Sequence, residues 1–130
     1  MGVFYYLWGM KTYLWLDDLR DPNQSVWYDH YIPELDKSVD SLIWVKEFPM
    51  FVDYINEFGL PDKIFFDHDL GEDKNGTGYD AAKWLVDYCM ENGEIDVPDW
   101  GIQSANPVGR DNINSLLKNY YKIYLVIISY

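Results

Sequence analysis

The run Ile64-Phe65-Phe66 stops abruptly at Asp67-His68-Asp69-Leu70-Gly71. An apolar run of this kind reads as a buried strand. Its end is unusual: two carboxylates flank an imidazole, and a glycine follows. Desolvating ionisable groups costs free energy unless a partner compensates, so three together at a strand mouth point to a site rather than to plain structure. The fold must therefore bring this strand end to a place where charge is matched.

The rest of the chain repeats the theme. Residues 11–16 read as a first strand that runs into Asp17-Asp18-Leu19-Arg20. Residues 21–40 hold Pro22, Pro33 and scattered aromatics without a helical period, and are expected to form a loop with one short helical turn. Residues 41–46 read as a second strand. Pro49 then suits a first helical turn, Phe51, Val52, Ile55 and Phe58 follow at helical spacing, and Gly59 with Pro61 ends that helix. Residues 63–69 form the third strand and 71–78 a glycine-bearing acidic loop. A helix over 81–92 follows, with Ala82, Leu85, Val86 and Cys89 on one face. Residues 97–104 read as a fourth strand ending in Gln103-Ser104-Ala105-Asn106-Pro107. Asn106 and Pro107 make an N-cap and first-turn pair for a helix over 108–121. The apolar run 123–128 reads as a fifth, fully buried strand.

Strands alternating with helices predict an α/β fold, a three-layer sandwich around a mostly parallel five-stranded sheet. In such sheets ligands bind outside the carboxyl ends of the strands. Three strand ends carry polar clusters: Asp17-Asp18, Asp67-His68-Asp69, and Gln103-Ser104 with Asn106.

With 130 residues, 48% hydrophobic and 18% aromatic, the chain is long enough for one packed domain. Met10 offers a natural start for a domain over 10–130, leaving residues 1–9 as an extension, either an added edge strand or an exposed apolar tail. A net charge of −12 opposes general binding to a nucleic-acid backbone, although a cation can invert the local field for a small phosphorylated ligand. The single cysteine, Cys89, excludes an internal disulfide and suits a reducing, cytoplasmic setting. No signal peptide or stretch of membrane-span length is evident, so no membrane partner is expected; the oligomeric state stays open.

The carboxylates Asp17, Asp18, Asp67 and Asp69 offer hard oxygen donors, suited to Mg²⁺ or a similar divalent cation better than to zinc. The plainer reading is that some cap helices or pair with Arg20 and Lys74. His68 can act as an acid or base, a ligand or a structural group. Arg20 can hold phosphate or neutralise the acidic pair. Asn106, Gly109 and Arg110, at a helix start, suit a phosphate cradle, with ordinary capping as the alternative. The loop 71–78 has P-loop glycine spacing without the Lys-Ser/Thr ending, and the run from Asp67 lacks the Gly and Glu of a calcium loop.

Taken together, Leu16-Asp17-Asp18-Leu19-Arg20, Phe66-Asp67-His68-Asp69-Leu70-Gly71, Gly78-Tyr79-Asp80 and Ser104-Ala105-Asn106-Pro107 resemble the cyclic-phosphate-processing receiver domains. The resemblance spans roughly residues 10–121. It implies a receiver-like, flavodoxin-like sheet and a pocket for cyclic or terminal phosphates of nucleotides. It also implies catalytic roles for Asp18, His68 and Asp69, phosphate binding by Arg20, Gln103, Ser104, Asn106, Gly109 and Arg110, and a metal at Asp17, Asp18, Asp67 and Asp69. Two departures stand out. Gln103 replaces the usual family His, which removes one partner of a two-imidazole acid–base pair. The segment between the first two strands is also longer than usual. In addition, the expected fifth strand ends without the Lys found in response regulators.

Three readings follow. One is a metal-assisted phosphoesterase acting on a small nucleotide-type ligand. A second is a module that binds or senses a cyclic nucleotide without turnover. The third is a degenerate receiver phosphorylated on Asp67 or Asp69.

Overall fold

The computed structural model describes residues 10–71 and 75–129. The expected extension 1–9 and the middle of the 71–78 loop lie outside them. Four strands form one parallel sheet: β1 (Thr12–Leu16), β2 (Ser41–Val45), β3 (Lys63–Phe66) and β4 (Asp99–Ile102), in the order β2-β1-β3-β4. The register pairs Leu16 with Val45 on one side and with Phe66 on the other, and Phe66 with Ile102. All four strands therefore end at one rim. The chain order reverses between β1 and β3, which makes their carboxyl ends the switch point of the sheet.

Strand alternation sorts the core into two layers. Leu14, Leu16, Ile64 and Phe66 face α2 (Phe48–Phe58), α3 (Gly78–Glu91) and α4 (Pro107–Ile128), packing on Phe51, Ile55, Ala82, Leu85, Ile113 and Leu117. Tyr13, Trp15 and Phe65 face the other way and pack with Ile32, Trp27 and Tyr31 from α1 (Ser25–Tyr31) and the segment after it. This is the expected three-layer α/β sandwich. Cys89 is buried in α3, and burial first of all pushes its thiol up to about 12, so it behaves as a packing residue.

Two expectations change. The segment 21–40 contains a two-turn helix, α1, instead of a single turn. Its aromatics serve tertiary packing more than a helical period, so the period was not visible. The expected fifth strand does not exist: residues 123–128 continue α4 without a break. No glycine or proline separates them from the helix that starts at Pro107, and adding a residue to an existing helix is far easier than nucleating a new element. A short apolar run has no periodicity that distinguishes strand from helix, and here continuity decides. Among the described residues, β4 is thus an edge of the sheet, with β2 at the other.

The overhanging turns of α4 bury little. Ile123, Leu125, Val126, Ile127 and Ile128 are 40–58% exposed. No described helix is long and apolar enough to cross a membrane. Removing residues 125–130, which leaves Tyr124 in its contact with Tyr120 and the core, is therefore expected to cost less than about 1 kcal/mol in urea unfolding, because little apolar area leaves the core. A loss near 3 kcal/mol would mean that these turns support the fold.

Candidate functional site

The ladder continues past each strand end and fixes the rim. Asp17 N–H donates to Val45 O (3.1 Å), Asp67 N–H to Leu16 O (2.9 Å) and Gln103 N–H to Phe66 O (3.1 Å). The indoles of buried Trp15 and half-buried Trp44 add two anchors. Trp44 Nε1 donates to Asp17 O at 2.7 Å, and Trp15 Nε1 to Arg20 O at 2.9 Å. The backbone carrying the carboxylates is thus held by main-chain and tryptophan contacts, independently of any charge.

Asp17, Asp18 and Asp67 each bring a carboxylate oxygen to within 4.8 Å of the others. Asp17 and Asp67 are buried. Asp17 Oδ1 accepts from the N–H groups of Leu19 and Arg20, both at 2.9 Å, which turns the chain sharply after β1. Arg20 folds back over the cluster: its Nη1 lies 3.1 Å from Asp17 Oδ2 and 3.7 Å from Asp67 Oδ2. The guanidinium also sits over the Trp27 ring, 5.4 Å from its centroid. Among the described residues, one positive side chain thus faces three carboxylates. Burial, and then the Asp17 carboxylate, push Asp67 up to about 7, against the opposing pull of Arg20. Among the described residues, Asp18 Oδ1 is buried without a hydrogen-bond partner. A set of converging carboxylates with an orphaned oxygen fits a hard divalent cation such as Mg²⁺, held by Asp17, Asp18 and Asp67. Asp69 stands outside this set.

Asp69 instead meets His68, Oδ1 to Nδ1 at 2.9 Å. Strict alternation would place these two side chains on opposite faces; the chain has already left β3 at Phe66, so they touch. The His68 ring lies against Gly109, where any Cβ would collide with it, and Asn106 Nδ2 approaches Nδ1 at 3.4 Å. Gly109 therefore makes room for the imidazole. Its N–H is taken by Asn106 Oδ1 (3.0 Å), and Asn106 N–H donates to Ser104 Oγ (3.1 Å). Arg110 is exposed on the first turn of α4. Gln103 is buried, its Nε2 donating to Leu16 O at 3.0 Å while its Oε1 has no partner. Its amide ties β4 to β1 beneath the carboxylates.

Two open cavities meet at Asp18. One, of about 280 Å³, is lined by Arg20, Asp67, Asp69 and Ala105. The other, of about 300 Å³, extends over the end of β2 between Lys46, Phe48 and Leu70. Sequence reasoning missed the second cavity. The rule that ligands sit beyond strand ends, applied to β2 as it was to β1 and β3, points to Lys46 and Glu47. It also missed the capping box of Thr77 and Asp80, which starts α3 under the site: Thr77 N–H donates to Asp80 Oδ2 (2.8 Å) and Asp80 N–H to Thr77 Oγ1 (3.2 Å). Gly78, next to that cap, presses on the backbone of Asp67 and His68, and its N–H donates to His68 O at 2.9 Å.

Two predictions follow from this packing and charge. Gly78→Ala would drive a methyl into Asp67 O, and should cost about 2–4 kcal/mol in chemical unfolding. Asp67 holds its proton in the folded state up to about pH 7, whereas an unfolded carboxyl loses it near 4. Its contribution to cation-free stability is fully present below about pH 4 and is lost as pH rises to about 7. Asp67→Asn should remove that slope and raise stability at pH 8 by roughly 2–4 kcal/mol, read in chelator-containing urea titrations at pH 5 and 8.

Comparison with known proteins agrees with this architecture. No curated protein matches the chain. A solved chain described as the yeast Spc42 trimeric coiled coil fused to another structure superposes with a TM-score of 0.60 at 18% identity, covering 92% of this chain and 74% of that one. At that identity the likeness concerns the fold alone. NtrX from Brucella abortus gives a TM-score of 0.45 at 12% identity, over 92% of this chain and 29% of that one, too loose a match to define a fold. Residues 12–119, which include every rim residue described above, match the family described as the cyclic-phosphate processing receiver domain, and the chain belongs to that family.

Proposed function

We infer that the rim processes a cyclic or terminal phosphate of a small nucleotide-type ligand, with a divalent cation at Asp17, Asp18 and Asp67. The observation that carries this reading is the carboxylate triad with its orphaned Asp18 oxygen, in a chain of this family. A cation bound there would supply charge stabilisation to a phosphoryl oxygen. The protein's own groups divide the remaining work. Arg20 contacts the triad through Asp17, and swinging from Asp17 would let it hold a phosphate oxygen in two-pronged fashion. Asp69 demands a donor from His68 Nδ1, so Nε2 is the nitrogen left to take or give a proton. Asn106 and Ser104 hold the loop that leads into α4.

A second reading, binding without turnover, is favoured by Gln103. An amide at 2% exposure that donates to Leu16 O cannot shuttle protons. His68 is then the one imidazole among the rim residues. A receiver-type phosphorylation of Asp67 has less support, because the cation beside that carboxylate is Arg20 and not a lysine.

Incubation with a panel of 2′,3′-cyclic nucleotides, with and without Mg²⁺, separates the two main readings. The enzyme reading expects Mg²⁺-dependent ring opening that falls by about 100-fold or more in Asp18→Asn and His68→Ala, with both variants folded. Thermal stabilisation by the same ligands without product would establish the binding reading instead.

A further inference from the structure

The second cavity at the rim lies apart from Arg20 and Asp67, yet it shares Asp18 and Gly71 with the cavity that they line. It opens beyond the end of β2, where Lys46 and Glu47 lead into α2. Its volume of about 300 Å³ is at the lower end for small-molecule sites. One wall is apolar: the Phe48 ring, backed at 3.1 Å by the space a side chain at Gly76 would need, together with Leu70. The other wall is polar and acceptor-rich. Asn75 Nδ2 donates to Glu47 Oε2 at 3.0 Å, which orients both groups. Among the described residues, that bond leaves Glu47 Oε1 and Asn75 Oδ1 without a donor.

An apolar wall beside a pair of acceptors matches an aromatic ring that carries an amino group. The phosphate would lie at Asp18, which together with Gly71 lines both cavities, and the base would extend from there into the second one. We propose that the cavity between Phe48, Leu70, Glu47 and Asn75 is a nucleobase subsite that selects amino-bearing bases (adenine, cytosine or guanine) over uracil. The proposal rests on reading the rim as a phosphate site, and it adds which end of the ligand goes where. The Phe48 ring would take one face of the base. Glu47 and Asn75 would accept its amino hydrogens, a contact that uracil, with a single ring N–H and two carbonyls, cannot reproduce. Lys46 also lines the cavity, with its ammonium 4.4 Å from the Trp44 ring centroid.

The test compares 2′,3′-cyclic AMP with 2′,3′-cyclic UMP by calorimetry, and follows the Asn75 side-chain amide by NMR on adding adenosine alone. The adenine nucleotide should bind about 10-fold tighter, the worth of one or two well-placed hydrogen bonds. Glu47→Gln should bring that ratio below about 2-fold while leaving Mg²⁺ affinity unchanged. Phe48→Leu, which keeps an apolar side chain in the core contact, should weaken both nucleotides. Adenosine should still shift the Asn75 amide in Asp18→Asn, which lacks the cation site, so loss of the phosphate reading would not hide the base subsite. Equal affinity for the two nucleotides, or an Asn75 amide unmoved by adenosine, overturns the proposal.

Discussion

Three carboxylates converge on a point where two buried strands end, and one guanidinium faces them. Most features of the rim answer to that imbalance. At such separations like charges repel strongly wherever water is scarce, and an arginine 3.1 Å from one and 3.7 Å from another can neutralise only part of the set. The protein accepts this charge because the backbone is held by other means. Ladder bonds past the ends of β1 and β3, the Trp44 indole on Asp17 O and the Gln103 amide on Leu16 O fix the positions of the acids regardless of their ionisation. What remains adjustable is the occupant of the centre. A proton on Asp67, the Arg20 guanidinium and a divalent cation are three ways of meeting one demand, and each weakens the case for the others.

Glycines and caps then decide how closely the neighbouring elements approach. Gly78 lets α3 start directly against the Asp67-His68 backbone, and the Thr77–Asp80 box satisfies the N–H groups of Thr77 and Asp80 without borrowing a rim carboxylate. Gly109 does the same for the His68 ring at the start of α4. The order of packing matters here. The imidazole is wedged between an aspartate and a helix, with its side chain 20% exposed, so its orientation is settled before any ligand arrives. A histidine in a looser loop would have to lose rotamer freedom at the moment of use.

Much of this was legible in the residues. Apolar runs that end in acid are visible without coordinates, and the rule for parallel sheets brings them to one edge. Asp17, Asp18 and Asp67 come together as that logic requires. The sequence was silent where a decision depended on tertiary context. The run Ile123–Ile128 has strand-like composition, but it continues an existing helix, and composition carries no information about whether a preceding element stops. The aromatics of α1 answer to Trp15 and Arg20 across the sheet, which no local period encodes. His68 and Asp69, adjacent in sequence, touch only because the strand has already ended at Phe66.

The start of α4 shows how a motif can be right in place and different in use. Asn-Pro followed by glycine is a signature of a helix N-terminus with free donors, and a free N-terminus attracts anions. In this fold the Gly109 N–H goes to Asn106, the Asn106 N–H goes to Ser104, and the space above Gly109 goes to the His68 ring. The motif therefore serves to seat an imidazole. Among the described residues, positive charge for the proposed phosphate is then available from Arg20, from a cation on the triad, or from Lys46 across the second cavity. All three lie on the β1–β2 side of His68. A ligand that satisfies them would have its phosphate over the switch point, one side facing the imidazole and its bulk directed toward the end of β2. That direction follows from where the donors are already spent.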